Sequence, residues 1–323
     1  MRYKYYTADV FSDRPFGGNQ VAVFPDAREL QSAQMQAVAR EFNISETVFV
    51  FPPKDSANTR RLRIFTPGAE LPFAGHPTVG TAVVLAAIGE LALDANPVNI
   101  VFEEGAGPVD VSIELVNGTP VTAKLTAPKL PEFGPPPPSS SELATMLSLA
   151  ESDLLGADNA PQAVSCGTQF LFVPLRDRQT VARARMKREL WEAVLSSYWA
   201  PSIFVFSYDG ELPGSDLHAR MFAPNLGVDE DPATGSAVAA LGGYLGVRDK
   251  ADKDYARWTI EQGLEMQRPS ILELEVFKQD GEITKIQVGG AAVLMSEGTM
   301  EIPAVGDAVE QRTTPWMEEV EPR

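Results

Sequence analysis

Three residues are well placed for acid–base chemistry, because each stands directly before a predicted regular element. Glu46 comes immediately before the apolar run Val48–Phe51. His76 and Asp231 each precede the proline of a Pro-x-x-Gly-[Thr/Ser]-Ala pattern, which occurs twice in the chain. Carboxylates and imidazoles transfer protons to and from a bound substrate when they are positioned beside it, so the pattern favours proton-transfer chemistry.

Each of the three residues also has a purely structural interpretation, which stays open at this point. Most glutamates lie on the protein surface. An aspartate before a helix is a common N-terminal cap, and a single histidine is more often a hydrogen-bonded structural residue. Residue type alone therefore nominates Glu46, His76 and Asp231 without deciding between the two interpretations.

The two proline patterns add a second chemical feature. Proline suits the first turn of a helix, so helices are expected to start near Pro77 and Pro232. Backbone N–H groups at a helix N-terminus lack an intrahelical acceptor and attract anions. Two such termini at one cleft, with Glu46 on its wall, would be able to hold a small carboxylic acid. The small residues Gly235 and Ser236 first suggest close backbone packing there.

The scarcity of other reactive residues narrows the chemistry further. The 323 residues include one cysteine, Cys166, and two histidines, His76 and His218. No internal disulfide, cysteine-rich zinc site or three-histidine metal site can therefore be built. No phosphate loop or dinucleotide fingerprint is present. We predict a reaction without metal or organic cofactor, in which Cys166 is no nucleophile and His218 is structural or exposed.

The charge balance argues against nucleic acid as a partner. Acidic residues number 44 and basic residues 27, so the formal net charge is −17, and no basic run interrupts it. A phosphate-binding surface needs the opposite charge. The longest apolar stretch, Val79–Leu91, is too short and too interrupted to span a bilayer, and the N-terminus lacks a signal peptide's apolar core. We expect a soluble cytoplasmic protein that binds neither nucleic acid nor membrane.

The elements that must position these residues occur in two copies. Six landmarks recur in the same order at nearly constant spacing, which predicts two similar halves. The pairs are Gly18-Asn19-Gln20 with Gly167-Thr168-Gln169, Val48–Phe51 with Ile203–Phe206, Arg63–Pro67 with Arg220–Pro224, Pro77–Val83 with Pro232–Val238, Glu103–Gly105 with Glu261–Gly263, and Asn117-Gly118 with Asp280-Gly281. We predict a first half at 1–128, a second half at 129–305 with an extended proline-rich linker at 134–141, and a polar tail at 306–323.

Within each half, the patterns predict strands wrapped around a central helix. A further helix is expected at 29–42 in the first half and at about 178–198 in the second. The alternating segments around Asn117-Gly118 and Asp280-Gly281 predict β-hairpins. The expected fold class is α+β, with two pseudo-symmetric halves that each form a barrel-like, mostly antiparallel sheet.

The motifs around the candidate residues resemble those of the phenazine-biosynthesis isomerase family, the PhzF-like proteins. The resemblance covers nearly all of residues 1–300 and implies the fold of diaminopimelate epimerase, with an active site between the halves. A homodimer is the assembly expected with it. The motifs are Phe16-Gly17-Gly18-Asn19-Gln20, Ile44-Ser45-Glu46-Thr47, Phe73-Ala74-Gly75-His76-Pro77 and Glu230-Asp231-Pro232-Ala233-Thr234-Gly235-Ser236.

The resemblance also implies roles for individual residues. Relatives with this fold that invert stereocentres use two cysteines, and the matching segments here contain none. Glu46 would be the one general base, which then acts as the acid. Ser45, His76 and Asp231 would bind or orient the substrate, and Gly75, Gly235 and Ser236 would line its carboxylate site. No cofactor and no metal are implied.

Three functions follow as hypotheses. The first is an isomerase that moves a proton between carbons of a small conjugated carboxylic acid, similar to trans-2,3-dihydro-3-hydroxyanthranilate isomerase. The second is an amino-acid epimerase or racemase that uses Glu46 and Asp231 in place of two thiols. The third is a non-catalytic protein that binds small acids.

Overall fold

The computed structural model describes residues 1–250 and 253–304, and the predicted tail at 306–323 lies outside them. The strands of the described residues pair into one continuous, mostly antiparallel sheet. They are β1 Arg2–Val10, β2 Asn19–Phe24, β3 Glu46–Phe51, β4 Arg60–Phe65, β5 Glu70–Leu71, β6 Val98–Glu104, β7 Gly107–Val116, β8 Thr119–Thr126, β9 Glu132–Phe133, β10 Gln162–Ser165, β11 Gln169–Pro174, β12 Ser202–Ser207, β13 Leu217–Ala223, β14 Val228–Asp231, β15 Tyr255–Gln262, β16 Ser270–Gln279 and β17 Glu282–Glu301.

The helices of the described residues are unequal in length and burial. They are α1 Ser32–Phe42, α2 Gly75–Ala87, α3 Ser140–Met146, α4 Arg178–Arg183, α5 Arg188–Val194 and α6 Gly235–Gly246, with short 3-10 turns at Glu151–Asp153, Ala157–Asn159 and Pro224–Leu226. None of these helices has the length and apolarity needed to cross a membrane.

Strand pairing shows the internal repeat directly. In the first half β2 runs parallel to β3, and β4 runs parallel to β6. In the second half β11 runs parallel to β12, and β13 runs parallel to β15. Even the register agrees, because Arg61 lies opposite Glu103 just as His218 lies opposite Glu261. The predicted fold class, α+β with two pseudo-symmetric halves, is confirmed.

Each half wraps its sheet around one buried helix. Along α2 every residue from Gly75 to Ala86 is buried, and along α6 every residue except Ser236 is buried. Both helices consist mainly of small and apolar residues, without a polar face. A helix that is apolar all round belongs in a core, and the sheet supplies that core on every side.

The sheets of the two halves are joined by strand pairing. Strand β9 lies in the predicted second half and pairs with β10 of that half. Residues 292–301 of β17 pair with β1 of the first half, while the start of the same strand pairs with β16. Strands β8 and β17 also pair directly. The division at residue 128 stays a prediction, and the pairing of β17 with β1 places residues 292–301 in the first half's sheet.

Three predicted elements differ from the observed ones. Helix α1 begins at Ser32, not at residue 29, because Gln31 and Gln34 form a capping box there. The single helix predicted at 178–198 is wrong: it is two helices, because Arg220 donates to the carbonyl groups of Val181, Ala182 and Ala184 and ends α4. Helix α3 begins at Ser140, capped by Ser139, so the predicted extended segment ends earlier than residue 141.

Candidate active site

A cleft of about 690 Å³ lies between the central helices and is lined by residues of both halves. All seven residues nominated from the sequence line it. They are Ser45, Glu46, Gly75, His76, Asp231, Gly235 and Ser236. Residues that are far apart in the sequence therefore line the same cleft.

Glu46 is the first residue of β3 and pairs with Val21 of β2, which fixes its backbone at the mouth of the buried sheet. Its side chain is 15% exposed, and its Oε2 lies 2.9 Å from His76 Nε2. The His76 ring N–H is directed at the Gln20 carbonyl, 3.2 Å away, and Glu46 Oε2 is buried without a well-directed donor. The carboxylate is therefore held beside the imidazole through its buried Oε2, while the side chain still lines the cleft with 15% of its surface exposed.

Asn19, at the start of β2, organises the groups around Glu46 and was not nominated from the sequence. Its Nδ2 donates to Asp231 Oδ1 (2.8 Å) and to the Ala233 carbonyl (2.9 Å), and it lies 3.2 Å from His76 Nδ1. Its Oδ1 accepts from Ser45 Oγ at 2.8 Å. One fully buried amide thus links the residues on both sides of the cleft.

The same amide fixes the tautomer of His76. The two oxygens that face Asn19 Nδ2 can only accept, so the amide cannot be turned around. His76 Nδ1 then faces an NH₂ group, which cannot accept a hydrogen bond, whereas Nε2 faces the Gln20 carbonyl, which can only accept, so the neutral ring carries its proton on Nε2. Burial lowers the pKa of His76, whereas the nearby carboxylates of Glu46 and Asp231 raise it, and the net shift is upward.

Asp231 ends β14 and closes the opposite side of the cleft. Its Oδ2 accepts a short hydrogen bond from Thr234 Oγ1, and its Oδ1 accepts from Asn19. Burial raises the pKa of Asp231 to about 6, with His76 lowering it and Glu46 raising it. Both oxygens of this carboxylate are thus already occupied, in contrast to Glu46.

The N-termini of α2 and α6 meet at the floor of the cleft. Neither helix has an acidic residue in its first turn, and neither has a side-chain cap. Their first amide groups are therefore available to an anion. Helix α6 starts at Gly235, within the segment expected to begin it, but Pro232 lies before the helix and not in its first turn. Gln262 Nε2 donates to the Asp231 carbonyl, and Ser270 Oγ donates to the Pro232 carbonyl. These two hydrogen bonds keep the segment before Gly235 extended.

The rest of the cleft wall is largely apolar. Within residues 1–250 and 253–304, no lysine or arginine lines it. Among the described residues, no group of three or more His, Cys, Asp and Glu side chains is arranged to hold a metal ion. The apolar side chains include Leu71, Phe73, Phe170, Met221, Leu226 and Val228.

Cys166 and His218 lie outside the cleft lining. Burial raises the pKa of Cys166 to about 12, and its thiol donates to the Ala239 carbonyl. His218 is buried between Glu261 and Glu265, at 2.7 and 2.9 Å. Burial lowers the pKa of His218, but the two carboxylates more than offset this and raise it to about 9. The buried, hydrogen-bonded surroundings of Cys166 and His218 indicate structural roles for both.

Two similar halves, each with a sheet around one buried central helix and with a cleft between them, define the diaminopimelate epimerase-like class. A family model described as "Phenazine biosynthesis-like protein" matches residues 8–298, so the chain belongs to this family.

Relatives and a solved structure agree with this assignment. The chain is 38% identical over 302 residues to an uncharacterized isomerase of Mesorhizobium japonicum, covering 92% of this chain and 98% of the relative. It is 31% identical over 301 residues to trans-2,3-dihydro-3-hydroxyanthranilate isomerase of Pseudomonas chlororaphis, covering 92% and 99%. A crystal structure of a PhzF-family phenazine biosynthesis protein from Bacillus anthracis superposes with a TM-score of 0.82 at 27% identity, covering 94% and 100%. The protein is an isomerase of this family.

Proposed function

We propose that the protein moves one proton between two carbons of a small conjugated carboxylic acid, with Glu46 as the acid–base residue. The observation that carries this proposal is the Glu46 carboxylate itself. Its Oε2 is buried 2.9 Å from an imidazole nitrogen, and the side chain still lines the cleft with 15% of its surface exposed. A base that is fixed in position and accessible from the cleft is what proton abstraction requires.

The helix N-termini would hold the substrate carboxylate. Among the described residues no lysine or arginine lines the cleft, so the backbone amides at Gly75, Gly235 and Ser236 are suitable anion-binding groups. The apolar wall suits the carbon skeleton of the acid. The net charge of −17 repels anions at long range, so binding must come from these local dipoles.

The reaction would proceed in two proton transfers. Glu46 takes a proton from a carbon whose C–H bond is acidified by the conjugated system, and the electron pair shifts through that system to a second carbon. The protonated Glu46 then returns the proton to the second carbon on the same face. His76, whose Nε2 lies 2.9 Å from Glu46 Oε2, stays beside the carboxylate throughout. One residue suffices because both carbons lie on one side of the substrate.

The site favours this isomerisation over an epimerisation by Glu46 and Asp231. Inversion of a stereocentre needs a second acid–base group on the opposite face. Asp231 is the candidate, but both of its oxygens accept hydrogen bonds from Asn19 and Thr234. Asp231 is therefore better suited to orient the substrate than to exchange protons with it.

Incubation with trans-2,3-dihydro-3-hydroxyanthranilate in deuterated water, followed by NMR, tests the proposal. This compound is named for the Pseudomonas chlororaphis relative and is the first substrate to try. Double-bond migration, with solvent deuterium or the original proton at a new carbon, supports the isomerase. Deuterium at a stereocentre with inversion would support the epimerase instead, and binding without any reaction across a set of conjugated acids would support a non-catalytic protein.

A further inference from the structure

A buried glutamate outside the cleft lining supports the start of α2. Glu104 is the last residue of β6 and is 9% exposed. Its Oε1 lies 2.6 Å from Thr78 Oγ1, and its carboxyl group also faces the backbone amide of Ala74, the N-cap residue of α2. Helix α2 carries Gly75 and His76 into the cleft, so Glu104 lies directly behind the candidate anion site.

The second half has a glutamine in the same place. Gln262 ends β15, and the matching registers of β4 with β6 and of β13 with β15 make it the counterpart of Glu104. Its Oε1 accepts from the backbone amide of Thr234, the N-cap residue of α6, at 3.1 Å. Its Nε2 donates to the Asp231 carbonyl and to Thr234 Oγ1. A side chain that both donates and accepts therefore supports α6.

The hydrogen bonds of Thr78 require a donor at Glu104 as well. Thr78 Oγ1 lies 2.7 Å from the Ala74 carbonyl oxygen and 2.6 Å from Glu104 Oε1. A hydroxyl group has one proton, and a carbonyl oxygen can only accept. If that proton goes to Ala74, the bond to Glu104 needs a proton from the carboxyl group. Glu104 Oε2 is also buried without a well-directed partner, which is costly for a charged group.

We propose that Glu104 is a neutral carboxylic acid that positions the N-terminus of α2. The side-chain amide of Gln262 positions the N-terminus of α6 in the same way. The effect on substrate binding rests on the proposed function, whereas the protonation state does not. Glu104 acts here as a positioning residue, since it does not line the cleft.

The charged neighbours of Glu104 are directed elsewhere. On its own strand, Glu103 accepts from the backbone amides of Lys54 and Asp55. On β4, Arg60 donates to the Glu90 carbonyl, and Arg61 packs over the Phe51 ring. On α2, His76 faces Glu46 and Asn19, and on β7 Asp110 is exposed. Among the described residues no cation contacts Glu104, and burial raises its pKa to about 8, although its contacts with Thr78 and with the Ala74 amide act in the opposite direction.

Neutrality matters for the cleft because of the helix dipole. The first amides of α2 attract an anion. A charge on Glu104 would compete with a substrate carboxylate for the same positive end of the helix. A neutral acid supports the helix and leaves this end to the substrate.

The variant Glu104→Gln tests the protonation state without any substrate. A carboxyl group whose pKa is raised in the folded state stabilises the fold fully below its unfolded pKa, and this contribution is lost as pH rises through the folded value. The stability of the wild type relative to Glu104→Gln should therefore fall from about pH 5 to about pH 8 and stay constant above. Infrared difference spectra at neutral pH should show a protonated-carboxyl band that is missing in Glu104→Gln.

Glu103→Gln is the matched control, because it changes the adjacent glutamate in the same way. Hydrogen bonds from Asn58 and from the amides of Lys54 and Asp55 lower the pKa of Glu103 to about 2. Its contribution is lost only as pH falls through that value, so the stability difference between Glu103→Gln and the wild type should not change between about pH 5 and about pH 8. The proposal would be overturned if the stability difference between the wild type and Glu104→Gln were equally constant over this pH range and the wild type showed no protonated-carboxyl band.

Titration with benzoate, a small unreactive carboxylate, tests the consequence for the cleft. Wild-type affinity should fall several-fold as pH rises past about 8, and Glu104→Gln should keep its affinity over that range. Equal loss of affinity in both proteins would contradict the positioning role. If benzoate binds neither protein, the proposed carboxylate site fails, while the stability and infrared results still decide the charge of Glu104.

Discussion

Gly75 and Gly235, the first residues of the two central helices, lie against each other at the floor of the cleft. A methyl group added at Gly75 would lie 2.7 Å from the Ser236 backbone nitrogen and 2.8 Å from the Gly235 carbonyl carbon. The two helix N-termini can therefore open onto one small space, which a single carboxylate can reach from both sides.

Gly75→Ala should force these two helix starts apart. We expect a loss of about 1–3 kcal/mol in the free energy of unfolding, as is typical of overpacking, together with weaker binding of carboxylates. Denaturant unfolding measures the first effect. Gly156→Ala is the control, because a methyl group there meets open space. Equal stability of both variants would argue against the close helix contact.

The comparison of the two halves explains why so much of the site was predictable. Residues that keep the fold recur in both copies, whereas chemistry is needed once, so Glu46 and His76 stand out against Pro201 and Asp231 at the matching positions. The same comparison also distinguishes Asn19, because the matching residue in the second copy is threonine. That difference lies inside a matched landmark, where the sequence alone indicates a turn and not a binding residue.

The features that the sequence did not predict depend on contacts between residues that are far apart in the chain. Helix α6 begins only at Gly235 because Gln262 and Ser270 donate hydrogen bonds to the carbonyl groups before it. The helix expected at 178–198 is divided because Arg220 donates to carbonyl groups at the end of α4. The pairing of the end of β17 with β1 of the other half also leaves no local pattern. Local propensity cannot show which carbonyl group a buried side chain from another strand will reach.

Asn19→Asp should disrupt the network that joins Ser45, His76 and Asp231. The new oxygen would face two acceptors, Asp231 Oδ1 and the Ala233 carbonyl, in a buried position. We expect a loss of at least about 1–3 kcal/mol in the free energy of unfolding at neutral pH. Gln20→Glu makes the same chemical change at the exposed neighbouring residue and should cost little. Similar stability of the two variants would contradict the role of Asn19.

Asp231 should give the protein a second measurable pH dependence. Its raised pKa means that its contribution to stability is complete below about pH 4 and is lost as pH rises through about 6. The wild type should therefore lose up to about 1–3 kcal/mol relative to Asp231→Asn over that range. Asp229→Asn, at an exposed position, should show no such trend. A constant difference for Asp231→Asn would show that Asp231 titrates normally.

Cys166 should be inert in the folded protein. Its thiol is buried, donates to Ala239 and has a pKa raised to about 12, so little thiolate forms at neutral pH. Iodoacetamide should modify it only after unfolding, as followed by mass spectrometry, and Cys166→Ala should keep isomerase activity. Rapid alkylation of the native protein with loss of activity would reopen a thiol mechanism.

The central claim is that Glu46 transfers the proton, and the rate of isomerisation by Glu46→Gln tests it most directly. Glutamine keeps the shape of the side chain and removes its basicity, and Glu41→Gln on the exposed side of α1 is the matched control. With trans-2,3-dihydro-3-hydroxyanthranilate, or another conjugated acid that the wild type converts, NMR should show a rate lower by about 10²–10⁴-fold for Glu46→Gln and an unchanged rate for Glu41→Gln. A folded Glu46→Gln that converts the acid at the wild-type rate would contradict the account.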